Sequence, residues 1–312
     1  MNVTPQTRVL LDRMAALKVQ SVASLSVPLA RAQMEAMVKA RNIPPTQVGR
    51  IEERDIPGPG GNLKLRIYWP PGAGAKLPAL VYYHGGGHVV GSLDSHDAVA
   101  RNLCAGAGIV VVSVDYRLAP EHPFPAAADD CYAATLWTAR HGAEIGVDPT
   151  RLAVGGDSAG GNLAAVVALM ARDAGQPKLR LQLLVYPITD YACVSPAYKT
   201  FGYGYGVLDT PAMLWFQRHY LQDLRNAEDW RASPLKAASH QGLAPACMIA
   251  AECDVLHDDG PPYAEALRRA GVAVEFHEYP GMIHGFFSMA PIIDEAVTAQ
   301  AVAVAALQHA LA

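Results

Sequence analysis

Residues 153–163 read AVGGDSAGGNL, a stretch that sets Ser158 between glycines two positions before it and two positions after it. The apolar residues before the serine predict a short buried strand, and the alanine-rich residues after it predict a helix. A G-x-S-x-G pattern at such a turn is typical of a nucleophile, because small flanking residues let chain segments approach while the turn exposes the hydroxyl. A serine that only caps the helix is the alternative. The stretch predicts a strand–turn–helix unit with Ser158 as candidate nucleophile.

Strand-like and helix-like runs alternate along the chain beyond residue 45. Apolar runs predict strands at 63–69, 77–83, 109–114, 152–154, 181–186, 246–251 and 272–279. Runs of helical character occupy residues 95–107, 126–141, 162–174, 262–270 and 294–311. Short buried strands that alternate with helices predict an α/β fold, with a mostly parallel, doubly wound sheet and helices on both faces. Residues 1–45 read as helices.

A second glycine cluster, HGGGH at residues 84–88, follows the predicted strand LPALVYY. A phosphate-binding loop would need a lysine and a Ser or Thr after the glycines, and neither follows here. Glycines lack a Cβ, so their backbone N–H groups can reach a reaction centre. We therefore expect Gly86 and Gly87 to donate to a developing oxyanion, together with Ala159 at the start of the helix.

The two histidines of this cluster do not predict a metal site. Side chains four residues apart share a face only on a helix, and the three glycines between His84 and His88 disfavour a helix. No nearby carboxylate completes a zinc-binding set. We expect His84 to hold the loop through hydrogen bonds, and no metal is expected.

A serine nucleophile needs a base, and the base needs an orienting acid. Asp254 follows the predicted strand ACMIAAE, and His284 lies between glycines after the last predicted strand, which gives the chain order serine, acid, histidine. Asp258 and Asp259 are alternatives for the acid, although they are more typical of a cap on the next helix. His277 lies within a predicted strand, so it is not expected to be the base.

An aromatic-rich segment at about 195–225 interrupts the alternation of strands and helices. The simpler interpretation is a helical insertion that packs its rings inward, but clustered aromatics beside a sheet can also roof a pocket. The candidate substrate-pocket residues are His88, Tyr205, Leu208, Trp215 and Phe216.

Composition narrows the partners and the compartment. The chain has 312 residues, 51% of them hydrophobic, and a net charge of −4, which does not favour capture of nucleic acid or of an anionic membrane. The longest apolar stretches are too short to span a bilayer, and no secretory signal is visible. The five cysteines form no C-x-x-C pair, which indicates free thiols and a cytoplasmic protein.

Four motifs together resemble one family. HGGG at 84–87, GDSAGG at 156–161, DYRLAPEHPFPAA at 115–127 and IHGF at 283–286 are similar to those of the bacterial hormone-sensitive-lipase-like esterases of the α/β-hydrolase superfamily. The resemblance runs over nearly the whole chain. It implies an eight-stranded, mostly parallel sheet in a catalytic domain at 46–312, with a helical cap made by residues 1–45 and the insertion at about 195–225.

The resemblance also implies an activity. It implies hydrolysis of small carboxylic esters, with short to medium acyl chains preferred, without a cofactor and with a possible homodimer. Carried over by motif position, the resemblance makes Ser158 the nucleophile, Asp254 the acid and His284 the base. It makes Gly86, Gly87 and Ala159 the oxyanion donors. An amidase or acyltransferase with the same triad is the alternative, and a non-catalytic small-molecule receptor on this fold is disfavoured because His284 is present.

Three positions depart from the family pattern. His88 stands where an aromatic residue is usual, Val255 stands where the acid loop usually has proline, and Cys253 stands where tyrosine is frequent.

The motif at 115–127 has a structural interpretation, in which Asp115 and Arg117 form a buried ion pair that braces the sheet.

Overall fold

A single eight-stranded sheet organises the chain. The computed structural model describes residues 3–206 and 208–312, so Met1, Asn2 and Val207 of the predicted cap segments lie outside the described residues. The strands are β1 (Arg50–Gly58), β2 (Gly61–Trp69), β3 (Leu77–Tyr83), β4 (Val110–Asp115), β5 (Val147–Asp157), β6 (Leu181–Val185), β7 (Ala246–Cys253) and β8 (Val274–Ile283). Their order across the sheet is β1-β2-β4-β3-β5-β6-β7-β8, with β2 antiparallel to both of its neighbours and every pairing from β4 to β8 parallel. The predicted mostly parallel α/β sheet is confirmed.

Helices lie before, between and after these strands. They are α1 (Pro5–Ala16), α2 (Val27–Ala40), α3 (Asp97–Ala107), α4 (Ala126–His141), α5 (Ala159–Asp173), α6 (Ala197–Thr200), α7 (Thr210–Leu221), α8 (Gly260–Arg269) and α9 (Asp294–Ala310). The five helices predicted between and after the strands match α3, α4, α5, α8 and α9 to within three residues at each end. None of the helices in the described residues is long and apolar enough to cross a bilayer.

Strand β1 was not predicted from hydrophobic pattern. It is an edge strand that pairs only with β2, and most of its side chains are exposed or half-buried. An edge strand needs no buried face, so its charged sequence RIEERD carries no strand signal. The central strands show the opposite pattern, because β3, β4 and the second half of β5 are buried on both faces and are mostly apolar.

The core has a layer on each side of the sheet. One layer joins α4, α5 and α8 to the sheet, and the other joins α3 and α9 to it. Helix α5 is apolar almost all round and is buried over most of its length. Each fully buried Val or Leu contributes about 1.5–3 kcal/mol relative to an exposed one, so this helix, which carries the serine at its N-terminus, is held tightly against the sheet.

The N-terminal helices pack against the C-terminal part of the chain. Thr4 N–H donates to the carbonyl of Gly281 at 3.4 Å, and Gln6 donates to the Asp294 carboxylate at 3.1 Å. Ser21 donates to Asp209, the N-cap residue of α7, at 3.1 Å. These contacts bring residues 3–45 and α7 together over the carboxyl edge of the sheet.

The expected ion pair between Asp115 and Arg117 is wrong. Arg117 pairs instead with Asp130 of α4, through two side-chain hydrogen bonds of 2.8 Å each. Asp130 lies beneath the loop and offers both carboxylate oxygens to the guanidinium, whereas Asp115 ends β4 with its side chain exposed. The pair therefore fastens the 115–127 loop to α4.

Candidate active site

Strand pairing brings the four functional loops to one edge. Strands β3 and β5 are parallel neighbours with Tyr83 opposite Gly156, so the HGGG loop and the serine turn leave the sheet side by side. Strands β7 and β8 are also parallel neighbours, with Cys253 opposite Ile283. The next residue along each of these two strands is Asp254 or His284. Strand β3 has β4 as its neighbour on one side and β5 on the other, so the strand order reverses at β3. In open α/β sheets, ligand-binding and active sites lie at the carboxyl ends of the strands where the strand order reverses.

The turn at Ser158 is strained. Its φ of 58° and ψ of −119° lie in a region that residues with a Cβ rarely adopt. A Cβ at Gly156 or Gly160 would collide with the carbonyl oxygen of Tyr83, so both flanking glycines are needed for close approach to β3. The Ser158 N–H donates to the carbonyl of Val185 at 2.8 Å, which holds the strained residue against β6. The pattern is therefore explained by sterics as well as by chemistry.

Ser158, His284 and Asp254 form one hydrogen-bonded chain. The Ser158 hydroxyl lies 2.9 Å from Nε2 of His284, and Nδ1 of His284 lies 2.6 Å from Oδ2 of Asp254. The carboxylate only accepts, so the imidazole proton sits on Nδ1 and leaves Nε2 free to accept from the serine. Oδ1 of Asp254 accepts the Leu256 N–H at 2.9 Å, which fixes the carboxylate. All three residues are more than nine-tenths buried.

The alternative acids lie elsewhere. Asp258 accepts the N–H of Ala197 at 2.8 Å, and Asp259 accepts the N–H of Thr189 at 2.7 Å. Burial raises the pKa of Asp259 to about 7 in spite of this bond. Neither residue contacts His284, and their side chains brace the loop that follows β6 and the start of α6. Asp259 is the N-cap residue of α8 by position, but its side chain makes no cap hydrogen bond there. His277 lies within β8, away from the serine.

Two of the predicted oxyanion donors, Gly86 and Gly87, line the same cavity as Ser158, and the third, Ala159, directly follows Ser158 in the chain. Gly86 and Gly87 have φ values of 121° and 60°, which favour glycine. Within the described residues, no acceptor takes the N–H of either glycine. Ala159 is the first residue of α5, so its N–H belongs to the helix N-terminus, where intrahelical acceptors are absent. The site thus holds unpaired N–H donors where negative charge would develop.

A second polar cluster, which the sequence analysis did not single out, supports the HGGG loop. Asp157 accepts hydrogen bonds from the Tyr82 hydroxyl at 2.6 Å and from the Gly85 N–H at 3.2 Å, and His96 Nε2 lies 3.2 Å from its other oxygen. Burial raises the pKa of Asp157, but His96 and Tyr82 outweigh burial and hold that pKa below its usual value. The Asp in GDSAGG was visible in sequence, but nothing marked His96 as its partner.

Both histidines of the HGGGH motif are structural in their contacts. His84 Nδ1 lies 2.8 Å from the carbonyl of Gly85, and its ring stacks on Tyr116, as expected for a residue that holds the loop. His88 stacks on Tyr220 at 3.8 Å and lies 2.8 Å from the Tyr191 hydroxyl. Burial lowers the pKa of each histidine to about 3, so both rings are neutral at physiological pH.

One cavity of about 280 Å³ opens onto Ser158 and His284. Of the predicted pocket residues, Leu208 and Phe216 line it, whereas His88, Tyr205 and Trp215 do not. His88 is fully buried behind the loop, and Tyr205 packs edge-on against Phe201. Trp215 precedes Phe216 on α7, and successive helix residues point about 100° apart, so only one of the two rings faces the cavity.

The cavity also contains residues that the sequence analysis missed. Helix α2 and its C-terminus contribute Met34, Met37, Val38 and Arg41. The three- and four-residue spacing of the apolar residues indicates a helix but not a cavity wall, and Arg41 carries no signal because it follows the last residue of the helix.

A metal-ligand grouping occurs only away from the triad in the part of the chain that the structure describes. Ligand atoms of Cys247, Glu275 and His277 lie within 4.8 Å of one another on β7 and β8. Cys247 is near the start of β7, whereas Asp254 follows its end, and burial raises the pKa of the Cys247 thiol to about 12. The grouping is therefore remote from the reacting atoms, and its thiolate form is disfavoured.

A serine, a histidine and an aspartate joined above the carboxyl edge of a mostly parallel sheet, with a glycine loop beside them, define the α/β-hydrolase class. A family model described as "alpha/beta hydrolase fold" matches residues 80–288. LipN, a carboxylic ester hydrolase of Mycobacterium tuberculosis, is 47% identical over 265 residues, which are 83% of this chain and 70% of LipN. The ethyl acetate hydrolase of Pseudomonas putida is 44% identical over 257 residues, 81% of this chain and 80% of that enzyme.

A solved structure extends the likeness to the whole chain. The crystal structure of a thermostable esterase from Pseudomonas putida ECU1011 has a TM-score of 0.96 and 39% identity, with 100% of this chain and 98% of that chain covered. The chain therefore belongs to the hormone-sensitive-lipase-like carboxylesterases of the α/β-hydrolase superfamily, and it is a serine ester hydrolase.

Proposed function

We propose that the chain hydrolyses short- to medium-chain carboxylic esters through an acyl-enzyme on Ser158. His284 takes the serine proton as Oγ attacks the ester carbonyl, and Asp254 holds the imidazole tautomer and stabilises its charged form. The N–H groups of Gly86, Gly87 and Ala159 bind the oxyanion. His284 then protonates the departing alcohol. It next takes a proton from water as the water oxygen attacks the acyl-enzyme carbonyl. When the bond between the acyl carbon and Oγ breaks, His284 returns that proton to Oγ, which releases the acid and the free serine.

The observation that carries this proposal is the continuous hydrogen-bonded chain at 2.9 Å and 2.6 Å beside unpaired backbone donors. A nucleophile and base within hydrogen-bond reach, with the base oriented by a third group, are the requirements for covalent catalysis. The preference for short to medium acyl chains is supported by the modest cavity of about 280 Å³ and by the short-chain ester for which the ethyl acetate hydrolase of Pseudomonas putida is named.

We also propose that α1, α2 and α7 act as the cap of this enzyme, over a catalytic domain that begins at about residue 46. Support comes from the cavity, because residues of all three helices line it opposite Ser158. A cytoplasmic location stays a prediction, consistent with five buried thiols. The homodimer stays a prediction as well.

The test is covalent labelling combined with one substitution. Wild-type protein should hydrolyse 4-nitrophenyl butyrate and gain the mass of one phosphoryl group from an organophosphate, with the adduct on Ser158 by peptide mass spectrometry. Ser158→Ala should lose about 10⁶-fold in kcat and take up no label. Ser239→Ala, at an exposed serine outside the cavity, is the matched control. Labelling at another serine, or full turnover by Ser158→Ala, would contradict the mechanism.

The same assay separates the alternative reactions. Butyranilide tests amidase activity, and added alcohol acceptors test acyl transfer. If the anilide is hydrolysed as fast as the ester, the assignment moves to an amidase with the same triad.

A further inference from the structure

Arg41 is an arginine inside an otherwise largely apolar active-site cavity. It follows the last residue of α2 and lines the same cavity as Ser158 and His284. Burial lowers the pKa of Arg41, while Tyr186 and Asp157 raise it. A guanidinium starts from a pKa above 12, so the group stays charged at neutral pH.

The side chain is anchored on one side and open on the other. Nη1 donates to both the carbonyl oxygen and the hydroxyl of Ser288, at 3.0 Å and 3.1 Å. Within residues 3–206 and 208–312, Nε and Nη2 have no hydrogen-bond acceptor, and the guanidinium is not in an ion pair. These two nitrogens form the edge of a guanidinium that presents two parallel N–H donors, which is the geometry that matches a carboxylate.

The acidic residues of the cavity are already engaged by other groups. Asp157 accepts from Tyr82 and Gly85 and lies beside His96. Asp209 accepts the N–H of Ala212 at 2.7 Å as the N-cap of α7, and also accepts from Ser21. The protein therefore does not supply the carboxylate that the open edge of Arg41 fits.

We propose that the open edge of Arg41 binds a carboxylate of the substrate, so that the enzyme prefers esters that carry a free carboxylate away from the scissile bond. This inference rests on the proposed esterase function and adds a substrate class to it. Ser288 positions the guanidinium, and the apolar walls of the cavity accept the chain between carboxylate and ester. Two substrate geometries satisfy this chemistry, with the acid on the acyl side or on the alcohol side.

The experiment uses two matched pairs of esters that differ in the acid alone. On the acyl side, mono-4-nitrophenyl adipate is compared with its methyl ester. On the alcohol side, 4-(carboxymethyl)phenyl butyrate is compared with the corresponding primary amide. The measured quantity is the ratio of kcat/KM for the acid to kcat/KM for its neutral partner, in wild type, Arg41→Met, Arg41→Lys and Arg218→Met. Arg218 is an exposed arginine of α7 that does not line the cavity.

In at least one pair, Arg41→Met should lower the ratio by about tenfold or more, mainly through KM, since a charge-assisted hydrogen bond is worth about 1.5–3 kcal/mol. Arg41→Lys, which keeps the charge but loses the fork, should lower it less, and Arg218→Met should leave it within about twofold. An unchanged ratio in both pairs for Arg41→Met overturns the inference. If circular dichroism shows that Arg41→Met is unfolded, an unchanged ratio in Arg41→Lys overturns the inference instead. Failure of wild type on all four esters, acidic and neutral, would instead overturn the proposed function.

Discussion

The carboxyl edge of the sheet and the cap build the two halves of one cavity by different means. At the edge, the backbone sets each functional atom, because Ser158, Asp254 and His284 directly follow strands whose pairing fixes their positions. In the cap, Arg41 and Phe216 belong to separate segments that meet through side-chain contacts, including the hydrogen bond from Ser21 to Asp209. The positions of the catalytic residues thus depend on the hydrogen-bonded register of the strands. The shape of the substrate cavity depends instead on side-chain contacts that a few substitutions can change.

After removal of the nucleophile itself, the largest effect should come from the acid of the triad. Asp254→Asn should lower kcat for 4-nitrophenyl butyrate by about 10⁴-fold, because an amide donor opposite Nδ1 favours the wrong imidazole tautomer. Asp259→Asn, at an equally buried carboxyl group in a neighbouring loop, should change kcat by less than about threefold. The measurement is kcat for 4-nitrophenyl butyrate in both variants. Similar losses of kcat would show that activity does not depend specifically on the hydrogen bond between Asp254 and His284.

Close backbone approach should rank second. A Cβ at Gly160 would collide with the carbonyl oxygen of Tyr83, so Gly160→Ala must push α5 away from β3 and move Ser158 relative to the HGGG loop. We expect a loss of about 10²-fold in kcat/KM, since small misplacements of catalytic groups have effects of this order. Gly175→Ala is the control, because Gly175 has φ of 69° with open space around it and should cost about 1 kcal/mol of stability without loss of activity.

A smaller, selective effect should mark the cap. Phe216→Ala should raise the ratio of kcat/KM for 4-nitrophenyl octanoate over butyrate by about five- to tenfold, because the ring lines the cavity and its removal makes room for a longer chain. Trp215→Ala removes a neighbouring ring that is equally buried, at 6% exposure, but lies outside the cavity. It should lose comparable stability and keep the wild-type ratio; a shift as large as that of Phe216→Ala would show that the ratio reports loosening of the cap.

The smallest effect concerns acid stability and the neutral histidine behind the HGGG loop. The pKa of His88 is about 3 in the folded protein, below its unfolded value of about 6.5. Between about pH 6.5 and pH 3 the His88 ring binds a proton in the unfolded state but not in the folded state, so protonation favours unfolding. The free energy of unfolding is therefore unaffected by this histidine above about pH 6.5 and decreases as the pH falls toward 3.

Between pH 7 and pH 5 the free energy of unfolding should therefore fall by about 2 kcal/mol less in His88→Asn than in wild type. Asparagine is chosen because it tolerates the positive φ of 61° at this position. Urea unfolding at the two pH values measures the difference, with the exposed His309→Gln as control. Equal slopes in His88→Asn and wild type would mean that the ring protonates without unfolding.

The same contrast explains what the sequence could reveal. Ser158, Asp254 and His284 were predictable because each follows an apolar run, and the glycines around Ser158 are imposed by the approach to Tyr83. The partner of Arg117 was misjudged because Asp130 lies on the next helix, and sequence proximity favoured Asp115. The spacing of residues in the sequence therefore predicts strands, turns and the residues that follow them, but not the partners that a side chain finds on another element.

The cap was the harder part to predict. Trp215 and Phe216 are adjacent aromatics of one helix, and only the packing of α7 against the HGGG loop decides which ring faces the substrate. Arg41 looked like an ordinary basic residue near a helix end, because its environment is made by Ser288 and the serine loop, which are distant in sequence. Such positions depend on the tertiary arrangement and leave no local pattern.

The docking of the N-terminal helices on β8 and the segment after it has a consequence for biosynthesis. Helices α1 and α2 precede every strand of the sheet, yet Thr4, Gln6 and Arg41 find their partners at residues 281–294. On the ribosome these contacts must wait until nearly all of the polypeptide has emerged, whereas Arg31 of α2 can bind Val89, Ala119 and Glu121 earlier. Nascent chains therefore carry no finished binding chamber, and hydrolysis begins only after translation has almost ended.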